Sequence, residues 1–157
     1  MANVSVGERV RSTWSKLSKV PGGKKLFTIA IGRMAPYSGT IGAKCLELKP
    51  GYAKVELKDR KAVRNHLNSV HAIALANLGE LATGLAMMAG LPEDARGILT
   101  GIEMAYLKKA RGTLIAECRC DIASTSETKD YRVLGEIKNQ AGEVVATATA
   151  LWRIGPR

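Results

Sequence analysis

The chain has 157 residues, of which 46% are hydrophobic, and its formal net charge is +10. This length and hydrophobic content exclude a disordered chain and indicate one domain with a buried core. The positive charge favours an anionic partner: nucleic acid, an anionic membrane or a phosphate-bearing small molecule. With a single Phe, the chain lacks an aromatic platform on which single strands stack, so we expect no nucleic-acid partner.

Residues 1–36 are predicted to form a basic helical arm. Apolar residues recur at helical spacing within 5–19, and a second short helix over 24–35 is stopped by Pro36. Seven Lys and Arg residues precede that proline, against a single acidic residue. Two interpretations stay open: the arm packs over the domain formed by residues 37–157, or it contacts a membrane or a partner.

The elements after the arm change from helical to strand periodicity. Residues 40–48 and 52–58 alternate apolar and polar side chains around a Pro50-Gly51 turn, which predicts a hairpin. A long helix is predicted over 70–89, ended by Gly90-Leu91-Pro92. Four further strands are predicted over residues 98–108, 113–122, 131–138 and 144–154, with a Ser/Thr-rich loop at 123–130. This order predicts an α+β fold, in which an antiparallel sheet curls around one long helix.

The segment from residue 70 to 90, VHAIALANLGELATGLAMMAG, is apolar on nearly every side. Its length suits a membrane span, but Glu80, His71 and Asn77 lie inside it, and we expect a buried core helix instead. A lone carboxylate in such a helix is costly unless it is paired, solvated in a pocket, or functional. The polar residues 65–69 precede the helix, so the sequence predicts a ligand pocket near its N-terminal end. A structural role for Glu80, as a cap or an ion-pair partner, stays open.

These residues and the element order resemble the hotdog-fold acyl-CoA thioesterases, especially the phenylacetate-pathway type. That family carries an Asn, a Gly three residues later, a His six later that is usually followed by Gly-Gly, and an acid nine after the His. Here Asn65, His71 and Glu80 keep this spacing. Asn68 and Ala72-Ile73 occupy positions where the family usually has glycines. Glu80 occupies the acidic position, where Asp is more common in the family. The resemblance covers roughly residues 38–154 and leaves out the arm.

The resemblance implies hydrolysis of an acyl-CoA or acyl-carrier thioester. Glu80 is the only acid on the helix and would act as base or nucleophile. The backbone amide of Ala72, at the helix N-terminus, would bind the oxyanion, while Asn65 and His71 would orient water or the thioester. In such folds the pocket forms between two subunits, so we expect a homodimer or a dimer of dimers. An acyl-CoA-binding protein without turnover is the alternative.

Further residues are predicted to contact the substrate. Near the acid these are Asn68, Ser69 and Thr83, although Asn68 and Ser69 also suit a helix cap and Thr83 also suits the core. Coenzyme A needs cations for its phosphates, and the candidates are Arg64, Lys108, Lys109 and Arg111, which equally fit a solvated charged face. Leu85, Met87 and Met88 fit either an acyl tunnel or the core.

The three cysteines predict reduced thiols. Cys45, Cys118 and Cys120 form an odd set without a CxxC pattern, and the N-terminus lacks the apolar run of a secretory signal. We therefore expect a cytoplasmic protein with no metal site. We also expect no cofactor, because coenzyme A would be part of the substrate.

Overall fold

The computed structural model describes residues 4–122 and 127–157, so the predicted loop at 123–130 lies partly outside the described residues. Three helices come first: α1 (Val6–Leu17), α2 (Gly23–Met34) and the short α3 (Pro36–Gly39). A hairpin of β1 (Lys44–Lys49) and β2 (Tyr52–Leu57) precedes the long helix α4 (Ala72–Gly90). The remaining strands are β3 (Ala95–Tyr106), β4 (Leu114–Arg119), β5 (Lys129–Lys138) and β6 (Val144–Pro156).

The six strands form one antiparallel sheet in the order β1-β2-β4-β5-β6-β3. Helix α4 packs against this sheet and contacts all six of its strands. The predicted α+β layout, one long helix wrapped by an antiparallel sheet, is confirmed. Strands β1 and β3 form the edges, and Ile98 and Ile102 on β3 are exposed.

Helix α4 is buried over most of its length, as its composition predicts. Twelve of its nineteen residues are buried. By length and composition alone it is apolar enough to cross a membrane, but here the sheet and the arm cover it. Small residues allow this close approach: a Cβ on Gly79 would overlap the Cβ of Ala148 on β6. Gly90 is the last helical residue, and Pro92 follows the C-cap Leu91.

The arm packs on the rest of the molecule. Trp14 of α1 and Phe27 of α2 meet edge to face, with ring centroids 4.9 Å apart, and Phe27 and Ile31 are buried in the same core as the sheet residues. The Arg11 guanidinium donates a 2.6 Å hydrogen bond to the carbonyl of Leu91 at the end of α4. The first interpretation of the arm, packing over the domain, is therefore realised in this structure.

Several element boundaries differ from the sequence prediction, and two of these differences have a local cause. Strand β1 begins at Lys44 rather than near residue 40, because Gly42 takes a positive φ of 65° and interrupts extended backbone. Helix α4 begins at Ala72 with His71 as its N-cap, so the suggestion that Asn68 or Ser69 caps it is wrong. Ser69 instead closes a loop, because its carbonyl accepts a 2.8 Å hydrogen bond from the Asn65 amide.

Candidate functional site

The polar segment before α4 is a closed loop held by Asn65. Its Oδ1 accepts hydrogen bonds from the amides of Leu67 at 2.9 Å and Ser69 at 3.2 Å. Asn68 takes a φ of 53°, the left-handed conformation in which Gly or Asn is favoured. The Arg111 guanidinium donates to the carbonyls of Asn68 and Leu67, each at 3.2 Å. This loop therefore uses the side-chain oxygen of Asn65 for its own backbone.

His71 caps the first turn of α4. Its Nδ1 accepts a 3.0 Å hydrogen bond from the Ile73 amide, and its side chain is exposed. An accepting Nδ1 carries no proton, so a neutral ring with this bond has its proton on Nε2. The Ala72 amide belongs to the first turn, where amides have no intrahelical acceptor, and it is therefore suited to an oxyanion. The Ala72 carbonyl accepts from the Tyr106 hydroxyl at 3.1 Å.

Glu80 lies near the middle of α4 and is only partly exposed. Within the described parts of the chain, its side chain has one hydrogen bond, a long one of 3.5 Å from the Ser38 hydroxyl to Oε2. Burial raises the pKa of the Glu80 carboxyl above its ordinary value, and the Ser38 bond offsets part of that rise. A partly desolvated carboxylate with a single weak partner suits proton transfer or nucleophilic attack.

A cavity of about 900 Å³ lies beside Glu80, between the arm and α4. Its walls are mostly apolar, and the ends of β3 and β6 close it on one side. The lining includes Val10, Ile31, Leu81, Leu85, Met88 and Trp152. Sequence reasoning missed Ser38 and the arm residues as neighbours of Glu80, because no pattern relates them to a residue about forty positions away. Of the three residues proposed for an acyl tunnel, Leu85 and Met88 line the cavity, whereas Met87 is fully buried.

Two of the predicted site residues near the helix start, Arg64 and His71, line a different and smaller cavity. It measures about 240 Å³ and is lined by His71, Arg64, Tyr37 and Asn77, among others. Eight residues of α-helix separate Ala72 from Glu80, which corresponds to roughly 12 Å along the axis. Within one protomer, the structure therefore does not bring His71 and Ala72 together with Glu80.

Two of the predicted substrate contacts lie in the interior. Thr83 is fully buried, and its hydroxyl donates to the Glu80 carbonyl at 3.0 Å, as expected for a core residue on α4. Ser69 is 5% exposed, and its hydroxyl has no hydrogen-bond partner among residues 4–122 and 127–157. The roles of both in substrate binding stay predictions.

Most of the predicted phosphate-binding cations already have partners. Arg64 pairs with Asp59 at 2.6 Å, which lowers the pKa of that carboxyl, and Lys108 pairs with Glu143 at 2.6 Å. Arg111 holds the loop carbonyls described above. Lys109 is exposed on the turn beside them. The Lys108–Glu143 pair is exposed, where an ion pair contributes little, whereas the Asp59 side chain that pairs with Arg64 is only 9% exposed.

The thiols lie apart from this site. Cys45 is buried, and burial raises the pKa of its thiol to about 12, which makes a poor nucleophile or metal ligand at neutral pH. A hydrogen bond with Cys120, and then burial, likewise raise the pKa of Cys118. In the described ranges, no three His, Cys, Asp or Glu side chains are grouped to hold a metal ion.

Comparison with known proteins places the chain in a family. Residues 23–154 match the model described as a domain of unknown function, DUF4442. The chain belongs to the DUF4442 family. Among its relatives is an Archaeoglobus fulgidus protein named “Putative esterase”, which is 31% identical over 110 residues and is matched over 69% of this chain and 68% of its own length.

Solved structures of similar architecture identify the fold of this DUF4442 protein. A crystal structure from a genomics project has a TM-score of 0.81 at 29% identity, covering 94% of this chain and 98% of the other. A phenylacetic acid degradation-related protein from Ralstonia eutropha, named a “putative thioesterase”, has a TM-score of 0.65 at 22% identity, covering 75% and 89%. The Ralstonia eutropha protein and further neighbours are thioesterases by name, so the predicted hotdog fold and the resemblance in fold to that family are confirmed.

Proposed function

We propose that this DUF4442 protein hydrolyses acyl-CoA thioesters and that Glu80 is the catalytic carboxylate. The observation that carries the proposal is the position of Glu80. It is a partly desolvated acid on an otherwise apolar helix, it has one 3.5 Å hydrogen bond from Ser38, and it lines a cavity of about 900 Å³. A structural glutamate at such a depth would be expected to have a cation partner. No salt bridge to Glu80 occurs within residues 4–122 and 127–157.

The chemistry proceeds in one of two forms. As a base, Glu80 takes a proton from water while the water oxygen attacks the thioester carbonyl, and that proton then passes to the departing thiolate sulfur. As a nucleophile, it forms an anhydride as the C–S bond breaks and the thiolate leaves; water then cleaves the anhydride to the free acid, which restores the Glu80 carboxylate and supplies the proton that the thiolate takes up. In either form the carbonyl oxygen gains negative charge, which the amide of Ala72 stabilises.

The distance along α4 favours a site shared by two protomers. One thioester carbonyl cannot lie within hydrogen-bond reach of both Ala72 and Glu80 if these are roughly 12 Å apart on one helix. We therefore propose a homodimer, or a dimer of such dimers, in which Glu80 of one chain faces Asn65, His71 and Ala72 of the other. The exposed side chains of Ile98 and Ile102 on the edge strand β3 are compatible with such an association.

The remaining proposals concern the carrier and the cell. Four cationic residues surround the start of α4 and would bind the phosphates of coenzyme A or of a carrier protein's pantetheine arm: Arg64, Lys108, Lys109 and Arg111.

The exposed Leu26 and Ile29 on α2 lie beside Lys24 and Lys25, which suits contact with an anionic membrane. We propose a cytoplasmic location on the basis of the reduced thiols.

A second candidate function is acyl-CoA binding without turnover. It is favoured by the engagement of Asn65 Oδ1 and His71 Nδ1 with backbone amides, since neither atom is then available to accept a proton or position water.

Turnover on a panel of acyl-CoAs, from acetyl to long-chain and aryl, separates the two functions. We expect hydrolysis of some acyl-CoA by the native protein and a loss of about 10²-fold or more in Glu80→Ala, the usual contribution of a positioned base. Glu93→Ala, which removes an exposed carboxylate just beyond the same helix, is the matched control and should retain the native rate. Absence of turnover on every thioester, or equal rates for Glu80→Ala and the native protein, would overturn the catalytic assignment.

A further inference from the structure

The large cavity has two walls that differ in origin. Helix α4 supplies Leu81, Leu85 and Met88, which recur every three or four residues and so lie on one side of the helix. The opposite wall is α1, which presents Val10 and Thr13 to the same space. Since α1 is held by the Arg11–Leu91 hydrogen bond and by its contacts with α4, this wall is a fixed part of the fold.

The cavity extends along α4 away from Glu80. On α4 and its C-cap, the residues that line the cavity run from Glu80 to Leu91. These two residues are eleven positions apart, which corresponds to roughly 16 Å along the helix axis. Carbon–carbon bonds of about 1.5 Å in a staggered zigzag give an extended alkyl chain of roughly a dozen carbons the same length. The volume of about 900 Å³ lies near the upper end of the range for small-molecule sites.

We propose that this cavity binds the acyl chain of the substrate and that α1 is its outer wall, so that the protein acts on medium-chain aliphatic thioesters of up to roughly twelve carbons. The proposal rests on the proposed function, because it places the thioester carbonyl at Glu80 and directs the chain toward Leu91. Acetyl and propionyl groups would leave most of the apolar walls uncovered. Their thioesters would therefore gain little from burial, which contributes about 0.8 kcal/mol per methylene.

The charge at the rim of the cavity suits an anionic thioester. Arg9, Arg33 and Arg96 line the cavity while their side chains are exposed, so they lie where it meets solvent. None of the three forms an ion pair within the described ranges, 4–122 and 127–157. A positive rim around an apolar interior raises the local concentration of an anionic amphiphile such as an acyl-CoA.

Gly84 keeps the space beside the acid open. A Cβ at this position would lie 3.2 Å from Cζ2 of Trp152 and 3.7 Å from Oε1 of Glu80. Any side chain there would therefore occupy the region between the carboxylate and the indole, where the proposed path of the acyl chain begins. Gly84 therefore lies at the acid end of the proposed path, whereas α1 meets α4 near its C-terminal end, where the Arg11 guanidinium bonds the Leu91 carbonyl.

The test fills the cavity from α1. Thr13→Trp places a large side chain in the cavity from its α1 wall, and Ser15→Trp adds the same side chain at an exposed position on α1 that does not line the cavity. We expect the ratio of kcat/KM for dodecanoyl-CoA to that for butanoyl-CoA to fall about tenfold or more in Thr13→Trp, since losing burial of two methylenes already costs that much. Ser15→Trp should keep the native ratio. Ser12→Trp, from a neighbouring lining residue, serves if Thr13→Trp does not fold.

A binding measurement separates failure of this proposal from failure of the proposed function. Dodecanoyl-CoA is titrated calorimetrically into Glu80→Ala, into Glu80→Ala with Thr13→Trp, and into Glu80→Ala with Ser15→Trp. Weaker binding in the Thr13→Trp protein alone supports the acyl cavity, even if the native protein hydrolyses nothing. An unchanged affinity together with an unchanged chain-length ratio, or a native preference for acetyl or aryl thioesters, would overturn it.

Discussion

The two halves of α4 satisfy their polar groups in different ways. At the helix start, Asn65 and His71 give their acceptor atoms to backbone amides of the loop and the first turn. In the middle of the helix, Glu80 has only a 3.5 Å contact with Ser38 and lies against a cavity. Local hydrogen bonding thus accounts for the polar groups at the start, whereas nothing local accounts for the acid. The contrast teaches that residues of one motif spacing can differ in environment: two of them bond the local backbone, and the third has one long hydrogen bond and faces a cavity.

The tight packing around Glu80 gives the largest expected change in stability. In Gly79→Ala the new methyl overlaps the Cβ of Ala148 on a central strand, so we expect a loss of about 3 kcal/mol in the free energy of unfolding. Adding Ala148→Gly should recover at least half of that loss, because it removes the overlapping atom. Urea denaturation of the two single variants and the double variant measures this coupling. Simple additivity of the two changes would contradict the packing.

Asn65 tests whether the helix start is structural. Asn65→Ala removes two hydrogen bonds to backbone amides and should lower the free energy of unfolding by about 2 kcal/mol. Asn65→Asp retains the oxygen that accepts both hydrogen bonds and should stay within about 0.5 kcal/mol of the native protein. A catalytic role for the carboxamide, in contrast, predicts loss of turnover in Asn65→Asp despite native stability. Stability and kcat measured on the same two samples distinguish a loop residue from a catalytic one.

His71 should show a smaller effect of the same kind. His71→Ala removes the N-cap acceptor and is expected to cost about 1 kcal/mol in unfolding free energy, whereas His71→Ser restores a capping oxygen and most of that loss. Thermal denaturation of the two variants compares them directly. If His71→Ser is as unstable as His71→Ala, the cap is not what His71 contributes.

Glu80 itself should give the smallest change in the free energy of unfolding, and this change should depend on pH. Burial raises the pKa of Glu80 in the folded protein above its ordinary value of 4.5. As pH rises, the Glu80 carboxyl then loses its proton in the unfolded chain before it does so in the folded protein. The stabilising contribution of the protonated carboxyl is therefore complete below pH 4.5 and is lost as pH rises through the folded pKa. Relative to Glu80→Gln, which stays neutral, the native protein should become less stable between pH 4 and pH 8. Parallel urea denaturation profiles for the two proteins across this range would contradict the raised pKa.

Much of the fold follows from patterns that are local in the chain. The apolar composition of residues 70–90 predicts a buried helix, and the alternation in the strands predicts the sheet, because side-chain periodicity reflects which face is covered. The motif spacing singles out Asn65, His71 and Glu80. The predicted starts of β1 and α4 were wrong because the backbone conformation at Gly42 and the N-cap at His71 set these boundaries rather than the pattern of apolar side chains.

The sequence by itself determined the order of the longer helices and the strands and the presence of one carboxylate in an apolar helix, since both depend on residues close together in the chain. Only the tertiary structure decided what surrounds that carboxylate. It brought Ser38 and α1 against α4 and created the cavity between them, and it placed His71 in a separate one. Such neighbours arise from the packing of distant segments, which depends on the whole core and leaves no spacing pattern in the chain.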